Sequence, residues 1–592
     1  MLLHTLVKGR QWVDSGRSPR RPARRRSSSA RGHEETVVGD AEQSGTVPAY
    51  EAVAATLAGL GVDTAFGLLG SGNFHIAERL VSRHGVTHHA ARHETAVVVM
   101  ADAWARVTGR MGVCSVHQGP GLTNALTGLV EAVRARTPML VIAGEVATTA
   151  THANQRFGSE ALATAAGAGV VRVERGATAV RETLRAWRQA AAERRPVLLA
   201  LPVDVQVERC ELPPSVDEGV PPAGPPAADA LGRAAALLAS AQRPLVLGGL
   251  GAVRADAGPA LRRLADRTGA LLATTAQAHG LFADDPWSVG LCGGFASPRV
   301  RGLLSQADLV LAFGASLNHW TTGHGEAIHR ATPVVQCDVD PAAFGRHRPA
   351  AAVVLGDART TAEALLQVVP EPSSPGGFRA DASLLPLAAS PGWDQSPGVP
   401  GDHVHPGALM EALEQLLPPQ RAIAPDSGHF IWYAMRHLTV PDASAFVFTQ
   451  SFQSVGLGLA TALGASIARP DRLTVAVVGD GGAAMSLGEL DTVSRSGRPL
   501  LVVVMDDGAY GAEVHHFGPE GEPVDLVQFG TRDFAGIAAA LGIPAQTVRS
   551  VQDLEGSFAR WLGRPSGPFL LDCKIDPTVR SEQADLALRG GG

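Results

Sequence analysis

"LTVAVVGDGGAAMSLGELDTVSRSGRPLLVVVMDDGAYG", Leu473 to Gly511, contains two apolar runs that each empty into acidic residues. The first delivers Asp480 between Gly479 and Gly481, and the second, from Leu500, delivers Asp506 and Asp507. Strands this apolar are buried on both faces, as in parallel sheets covered by helices. Between them, Ser486 and Glu489 have the S-x-x-E spacing of a capping box and Gly497 suits a helix end, so a helix is expected from Ser486. The stretch reads as one βαβ unit whose strand ends and helix N-terminus share an edge, where doubly wound folds bind ligands. Hard oxygen ligands suit Mg²⁺ and helix-terminal N–H groups suit phosphate, so a metal-bridged diphosphate satisfies both.

The same alternation recurs on both sides. "VTHHAA", "GVCSVH", "PMLVIAGE" and "PVLLALPVDV" read as strands in one segment, and "PLVLGG", "ALLATT", "LVLAFG", "PVVQCDVD" and "AAVVLGD" in another. "AIAPDSG", "FVFTQ" and "PFLLDCKID" join the two opening runs in the third. Proline-rich stretches at Leu212–Asp229 and Val369–Asp402 break helices and strands and read as linkers. The fold class is therefore α/β, with three doubly wound parallel-sheet domains at 46–211, 228–368 and 403–580. Residues 1–45, rich in Arg, Ser and Pro and poor in acids, read as a disordered basic extension, with a transit peptide as the alternative.

Composition narrows the function. A formal net charge of −6 argues against a general nucleic-acid binder, and no run of purely apolar residues reaches membrane-spanning length. Five scattered cysteines without a CxxC pair fit a reducing cytoplasm. Of 51 basic residues only Lys8 and Lys574 are lysine.

Asp507 follows Asp480 by 27 positions. That spacing and the GDG motif resemble the thiamine diphosphate enzymes of the acetolactate synthase-like, 2-oxo acid family, whose second metal ligand is an asparagine where Asp507 stands. The resemblance implies Asp480, Asp507 and the Ala509 carbonyl as Mg²⁺ ligands, with Asp506 only a neighbour. "RHETAVVVMADAWARVTGR" matches the family's first-domain signature and places its catalytic glutamate at Glu94; "GPGLTNALTGL", "TPMLVIAGE" and "RRPVLLALPVDV" follow as the family does. "VVQCDVDPAAFG" and "VVLGDA" resemble its middle domain, so everything but the tails is covered. "SFQSVGLGLATALGA" and "PDSGHF" imply cofactor contacts at Gln453, Val455, Gly428 and His429, with Val455 as the apolar wedge that bends the cofactor. Gly479, Gly481, Gly482, Tyr510 and Gly511 complete the implied cofactor site.

In that family Glu94 hydrogen-bonds the cofactor's aminopyrimidine ring and promotes loss of the thiazolium C2 proton, preparing attack on a 2-oxo carbonyl and decarboxylation. His117 and Gln118, just before "GPG", are candidates for proton relay or for binding a substrate carboxylate, with hydrogen-bonded loop residues as the alternative. His515 and His516 are further candidates for the same pocket.

The chain also departs from the family. In "NQRFGSEALATAAGAGVVRV", Ser159 stands for a substrate-handling glutamine and Arg172 for a lysine, with Gln155 offset from either. His516 stands for a tryptophan. The flavin-contacting Arg-Phe-Asp-Asp is replaced by "SLNHW", Ser316 to Trp320, so FAD is not expected. The expectation is an enzyme dependent on thiamine diphosphate and Mg²⁺ that joins carbon fragments after decarboxylating a 2-oxo acid, working as a homodimer or homotetramer with sites at the subunit interface. Simple decarboxylation or C–C lysis is the alternative. A non-catalytic homologue and a flavin oxidoreductase are rivals from other classes; intact Glu94, Asp480 and Asp507 speak against the first, and no clear GxGxxG supports the second.

Overall fold

Seven consecutive buried residues form each of the strands Leu473–Gly479 and Leu500–Asp506, and they pair in parallel. No face of either strand meets water, so the residues have no reason to alternate between polar and apolar. The computed structural model describes residues 45–212, 215–216, 219, 224–371, 376–385 and 402–581. The basic extension and most of the second proline-rich stretch lie outside the described residues.

Three parallel sheets carry the fold. The first has the order Thr87–Ala90, Thr64–Gly67, Gly112–Val116, Met139–Glu145, Pro196–Pro202, Gly169–Arg172. The middle sheet runs Ser288–Leu291, Leu271–Thr274, Pro244–Gly248, Leu309–Phe313, Val334–Asp338, Ala352–Leu355. The third runs Arg421–Pro425, Leu473–Gly479, Leu500–Asp506, Phe569–Lys574, Ala545–Val548. A short antiparallel pair, Thr46–Pro48 with Arg209–Glu211, closes the ends of the first segment. The three-domain α/β expectation holds. Among the described residues no helix is long and apolar enough to cross a membrane.

Helix α1 (Glu94–Thr108) is buried almost all round, from Ala96 through Ala105. A helix apolar on every side must be sandwiched. One neighbour is α2 (Leu126–Arg134); the other is α3 (Gly458–Ala468) of the third segment. At Gly464 an added Cβ would stand 2.3 Å from the Met100 carbonyl oxygen, so glycine is what lets these two backbones touch. Val98, Val99, Leu459, Leu463 and Val502 share one core, and the chain from Thr46 onward is one compact unit.

Two local expectations fail. "FVFTQ" is buried at Phe446–Phe448 but forms only a single bridge, Phe446 with Ile423, rather than a strand. Its Phe448 carbonyl is taken by the side chains of Arg106 and Gln277, at 2.9 and 3.1 Å, instead of by a neighbouring strand. The helix expected from Ser486 begins earlier: α4 (Asp480–Met485) starts directly at the strand end, and α5 (Glu489–Ser496) follows with Gly488 at its N-cap. Ser486 and Glu489 form no capping box. The Ser486 hydroxyl instead donates to the Gly482 carbonyl at 2.8 Å.

Candidate active site

Asp480 is the first residue of α4 and is buried. Its Oδ1 accepts the Gly481 N–H at 2.9 Å, while Oδ2 is buried with no hydrogen-bond partner. Burial first, then the charges of Asp507 and Asp506, hold its carboxyl well above the ordinary range. A carboxylate placed so is costly unless a cation arrives.

The adjacent strand end resolves the two aspartates into different tasks. Asp506 is fully buried and bonds Lys574 Nζ at 2.5 Å; that ammonium also bonds Asp572 at 2.8 Å and donates to the Arg532 carbonyl. Asp506 also accepts N–H groups of Gly508 and Arg532, tying down the turn beyond the strand. Asp507 turns the other way. Its Oδ2 lies 2.8 Å from His429 Nε2 and its Oδ1 accepts the Ala509 N–H at 3.2 Å. A Cβ at Gly511 would fall 2.1 Å from Asp507 Oδ2 and 2.5 Å from His429, so only glycine admits this pair. His515 stacks edge-on to His429 at 4.8 Å and pairs its Nε2 with the Pro577 carbonyl at 2.9 Å. His516 lies against Phe517 instead.

Asp426, which sequence reasoning misses, closes the cradle. It is buried and accepts N–H groups from Ser427 at 2.8 Å, Gly456 at 2.9 Å and Leu457 at 3.2 Å. Burial pushes its carboxyl up to about 6. It thereby fixes the loop holding Gln453, whose φ is +60°, and Val455. A Cβ on Gly482 would stand 2.4 Å from Asp426 Oδ2 and 3.3 Å from Val455 Cγ1, so these three converge. Tyr510 lies over Gly481, and Gly428 and Gly479 both back onto Phe430. The signal for Asp426 is its place at a strand end in "PDSG".

Glu94 opens α1 and is buried to 8 % exposure, its Oε2 accepting Asn124 Nδ2 at 3.0 Å. Asn124 belongs to the "GPGLTN" segment, and a Cβ on Gly121 of that segment would stand 3.1 Å from His117 Cβ and 3.4 Å from Glu94 Oε1. His117 Nδ1 accepts the Gly72 N–H at 3.2 Å, and its Nε2 is 3.4 Å from Gln155. Gln118 donates to Gln155 Oε1 at 2.9 Å. Gln118, Asn154, Gln155, Val146 and Val203 line a cleft of about 440 Å³. Ser159 and Arg172 do not line it: both bond Glu145, Arg172 at 2.7 Å. Two clusters thus exist, and among the described residues no hydrogen bond or ion pair joins Glu94 to Asp480 or Asp507 within the chain.

Family models describe the same chain in three consecutive parts: the N-terminal TPP (thiamine pyrophosphate) binding domain over residues 48–166, the central domain over 231–365 and the C-terminal TPP binding domain over 426–573. An acetolactate synthase large subunit of Parasynechococcus marenigrum is 30% identical over 571 residues, covering 91% of this chain and 90% of that protein. The chain belongs to the thiamine pyrophosphate enzyme family. A sulfoacetaldehyde acetyltransferase of Rhodobacter capsulatus is 30% identical over 83% of this chain and 88% of its own. A protein described as a probable 2-ketoarginine decarboxylase of Pseudomonas aeruginosa is 29% identical over 89% of this chain and 94% of its own. This thiamine pyrophosphate enzyme therefore sits among relatives of transferase and lyase chemistry. The residues fit the cofactor, because Asp480 Oδ2 is buried without a hydrogen-bond partner and the charges of Asp507 and Asp506 both act on this carboxyl at the first residue of α4. Among the described residues no three acidic, His or Cys side chains are pre-assembled around a metal; the expected set needs only two side chains and a carbonyl.

Proposed function

We propose that the chain is a thiamine diphosphate- and Mg²⁺-dependent carboligase that decarboxylates a 2-oxo acid and joins the remaining fragment to an acceptor. The observation that carries this reading is Asp480 Oδ2, buried without a hydrogen-bond partner at the first residue of α4 and under the charges of Asp507 and Asp506. Asp480, Asp507 and the Ala509 carbonyl hold Mg²⁺, with Gly479, Gly481, Gly482, Gly428, His429, Tyr510 and Gly511 about the diphosphate. Gln453 and Val455 face the cofactor rings. When bound, the cofactor would supply a carbon acid whose carbanion, left after proton loss, can add to a 2-oxo carbonyl, and a ring that can take up the electrons released on decarboxylation.

Asn124 fixes Glu94 Oε2 and leaves Oε1 to share a proton with the cofactor's aminopyrimidine ring. Burial of Glu94 keeps water from competing for that proton. His117, with its Nδ1 occupied by a backbone donor, presents Nε2 toward Gln155 and the cleft, where it binds or protonates substrate together with Gln118. The family resemblance supports a working site that combines the first sheet of one subunit with the third sheet of another, in a cytoplasmic homodimer or homotetramer. Five free, buried cysteines accord with a reducing compartment.

Simple decarboxylation or C–C lysis is the second reading, favoured by the two positions where substrate-handling residues are expected: Ser159 and Arg172 are bonded to Glu145 and do not line the cleft. Calorimetry with thiamine diphosphate and Mg²⁺ tests the cofactor assignment, and absence of binding ends it. A screen of 2-oxo acid donors with aldehyde and 2-oxo acid acceptors, read by mass spectrometry, separates carboligation from release of a free aldehyde.

A further inference from the structure

Two buried glutamates cross between the first and third sheets in opposite directions. Glu489, on α5, accepts the N–H of Arg92 at 3.0 Å and of His93 at 2.9 Å. The Thr492 hydroxyl donates to its second oxygen at 2.6 Å. Arg92 and His93 are the two residues before Glu94. In return Glu131, on α2 and fully buried, accepts the N–H of Phe452 at 2.6 Å. Phe452 immediately precedes Gln453, which holds a left-handed φ of +60° that a non-glycine residue adopts only when its surroundings impose it.

The support behind Glu131 is extensive. Arg106 donates to its Oε1 at 2.8 Å, forks onto Asp102 at 2.9 and 2.5 Å, and reaches the Phe448 carbonyl at 2.9 Å. Asp102 and Arg106 belong to the "ADAWARVTGR" part of the first-domain signature, which the cofactor chemistry does not use. A charged network this deep is poor at stabilising a fold, since apolar residues of like volume serve as well or better. What it does supply is direction: a carboxylate fixes specific N–H groups at short range. Glu489 is held by amides and a hydroxyl rather than by a cation, at a helix start where a carboxylate is favoured.

We propose that Glu489 and Glu131 are reciprocal positioning residues, each gripping the backbone that carries the other sheet's cofactor-facing groups. Glu489 orients Glu94, and Glu131 sets Gln453 and Val455. The inference rests on the function proposed above for those three residues.

The test uses the full chain with Glu489→Ala, Glu489→Gln, Glu131→Ala and Glu131→Gln. Amide hydrogen exchange is followed in peptides covering 90–95 and 448–455, alongside calorimetry of thiamine diphosphate with Mg²⁺ and exchange of the C2 proton of the bound cofactor. Glu489→Ala is expected to raise amide exchange at 90–95 and slow C2 exchange by roughly 10- to 100-fold, with cofactor affinity close to wild type. Glu131→Ala is expected to raise exchange at 448–455 and weaken cofactor binding by about tenfold or more. The glutamine variants keep an acceptor and lose the charge, so the same pattern recurs at smaller size; they decide the matter if the alanine variants do not fold. Unchanged amide protection, or lower melting temperatures with wild-type affinity and C2 exchange, overturns the positioning roles. A wild-type chain that binds no cofactor sinks the functional reading itself.

Discussion

His429 Nε2 lies 2.8 Å from Asp507 Oδ2, with both side chains almost wholly out of water. The acid that stands where the family has an amide is thus matched by a hydrogen-bond donor on another element. Replacing Asp507 by Asn keeps a side-chain oxygen for Mg²⁺ and for Ala509, so cofactor binding is expected to persist. His429→Ala in the wild-type background strips a buried carboxylate of its partner and costs about 1–3 kcal/mol of stability. In the Asp507→Asn background the same change costs less. A double-mutant cycle by denaturant unfolding measures the coupling, and additive effects would remove the pairing argument.

Lys574 is expected to be the most sensitive buried cation. It stands between Asp506 and Asp572, all three side chains at 5 % exposure or less. Lys574→Met leaves two carboxylates facing each other without a counter-charge, and a loss of about 3–5 kcal/mol follows from breaking such a site. Adding Asp506→Asn to that variant restores part of the loss. Thermal unfolding of the single and double variants reads both.

Glu94→Gln retains the contact to Asn124 in shape and removes the shared proton. Thiamine diphosphate affinity should stay near wild type while C2 proton exchange and turnover fall by about 10²–10⁴. Unchanged turnover is the result that excludes Glu94 as the proton-handling group.

What could be read before any coordinates follows from range. Asp480 and Asp507 end apolar runs, and a strand end on a parallel sheet is a ligand edge whatever the partners are. Glu94 heads a helix whose apolar length is visible in one window. Asp426 sits at a similar strand end, but its worth depends on N–H groups of Gly456 and Leu457, about thirty residues away, which no local pattern announces. Glu489 shows the reverse error. Its spacing from Ser486 satisfies a local rule, while its carboxylate is committed to Arg92 and His93, nearly four hundred residues back. The run from Phe446 to Gln450 misleads similarly: "FVFTQ" has strand composition, yet Arg106 and Gln277 take its central carbonyl.

Acid sensitivity should centre on His279. Burial of its ring nitrogens pushes its imidazole down to about 4, and its ring meets Phe446 edge-on at 5.0 Å. A histidine whose folded-state value lies below its unfolded one binds fewer protons when folded. Its stabilising contribution is therefore full above about pH 6.5 and is lost as pH falls toward 4, to the extent of about 3 kcal/mol. His279→Phe should flatten the fall in melting temperature between pH 6.5 and 4 while changing little at pH 8. An identical acid slope in both proteins would place the sensitivity elsewhere.

The strain at Asp480 gives a prediction whose sign depends on the ligand. Without a cation, its unpartnered oxygen is held in a buried site beside two further carboxylates, which raises the free energy of the folded chain. Asp480→Asn removes the cost of burying an ionisable carboxyl there and keeps the shape, so in chelator-treated protein at neutral pH the variant should be more stable than wild type by about 1–3 kcal/mol. With thiamine diphosphate and Mg²⁺ added, the order should invert. Wild type gains about 4.1 kcal/mol at a thousandfold excess over Kd, whereas a variant lacking the first metal ligand gains little. Melting curves of both proteins with and without cofactor show the crossing. A variant that is less stable in both conditions would mean that Asp480 is held by contacts of its own rather than kept in readiness for a metal-bound diphosphate.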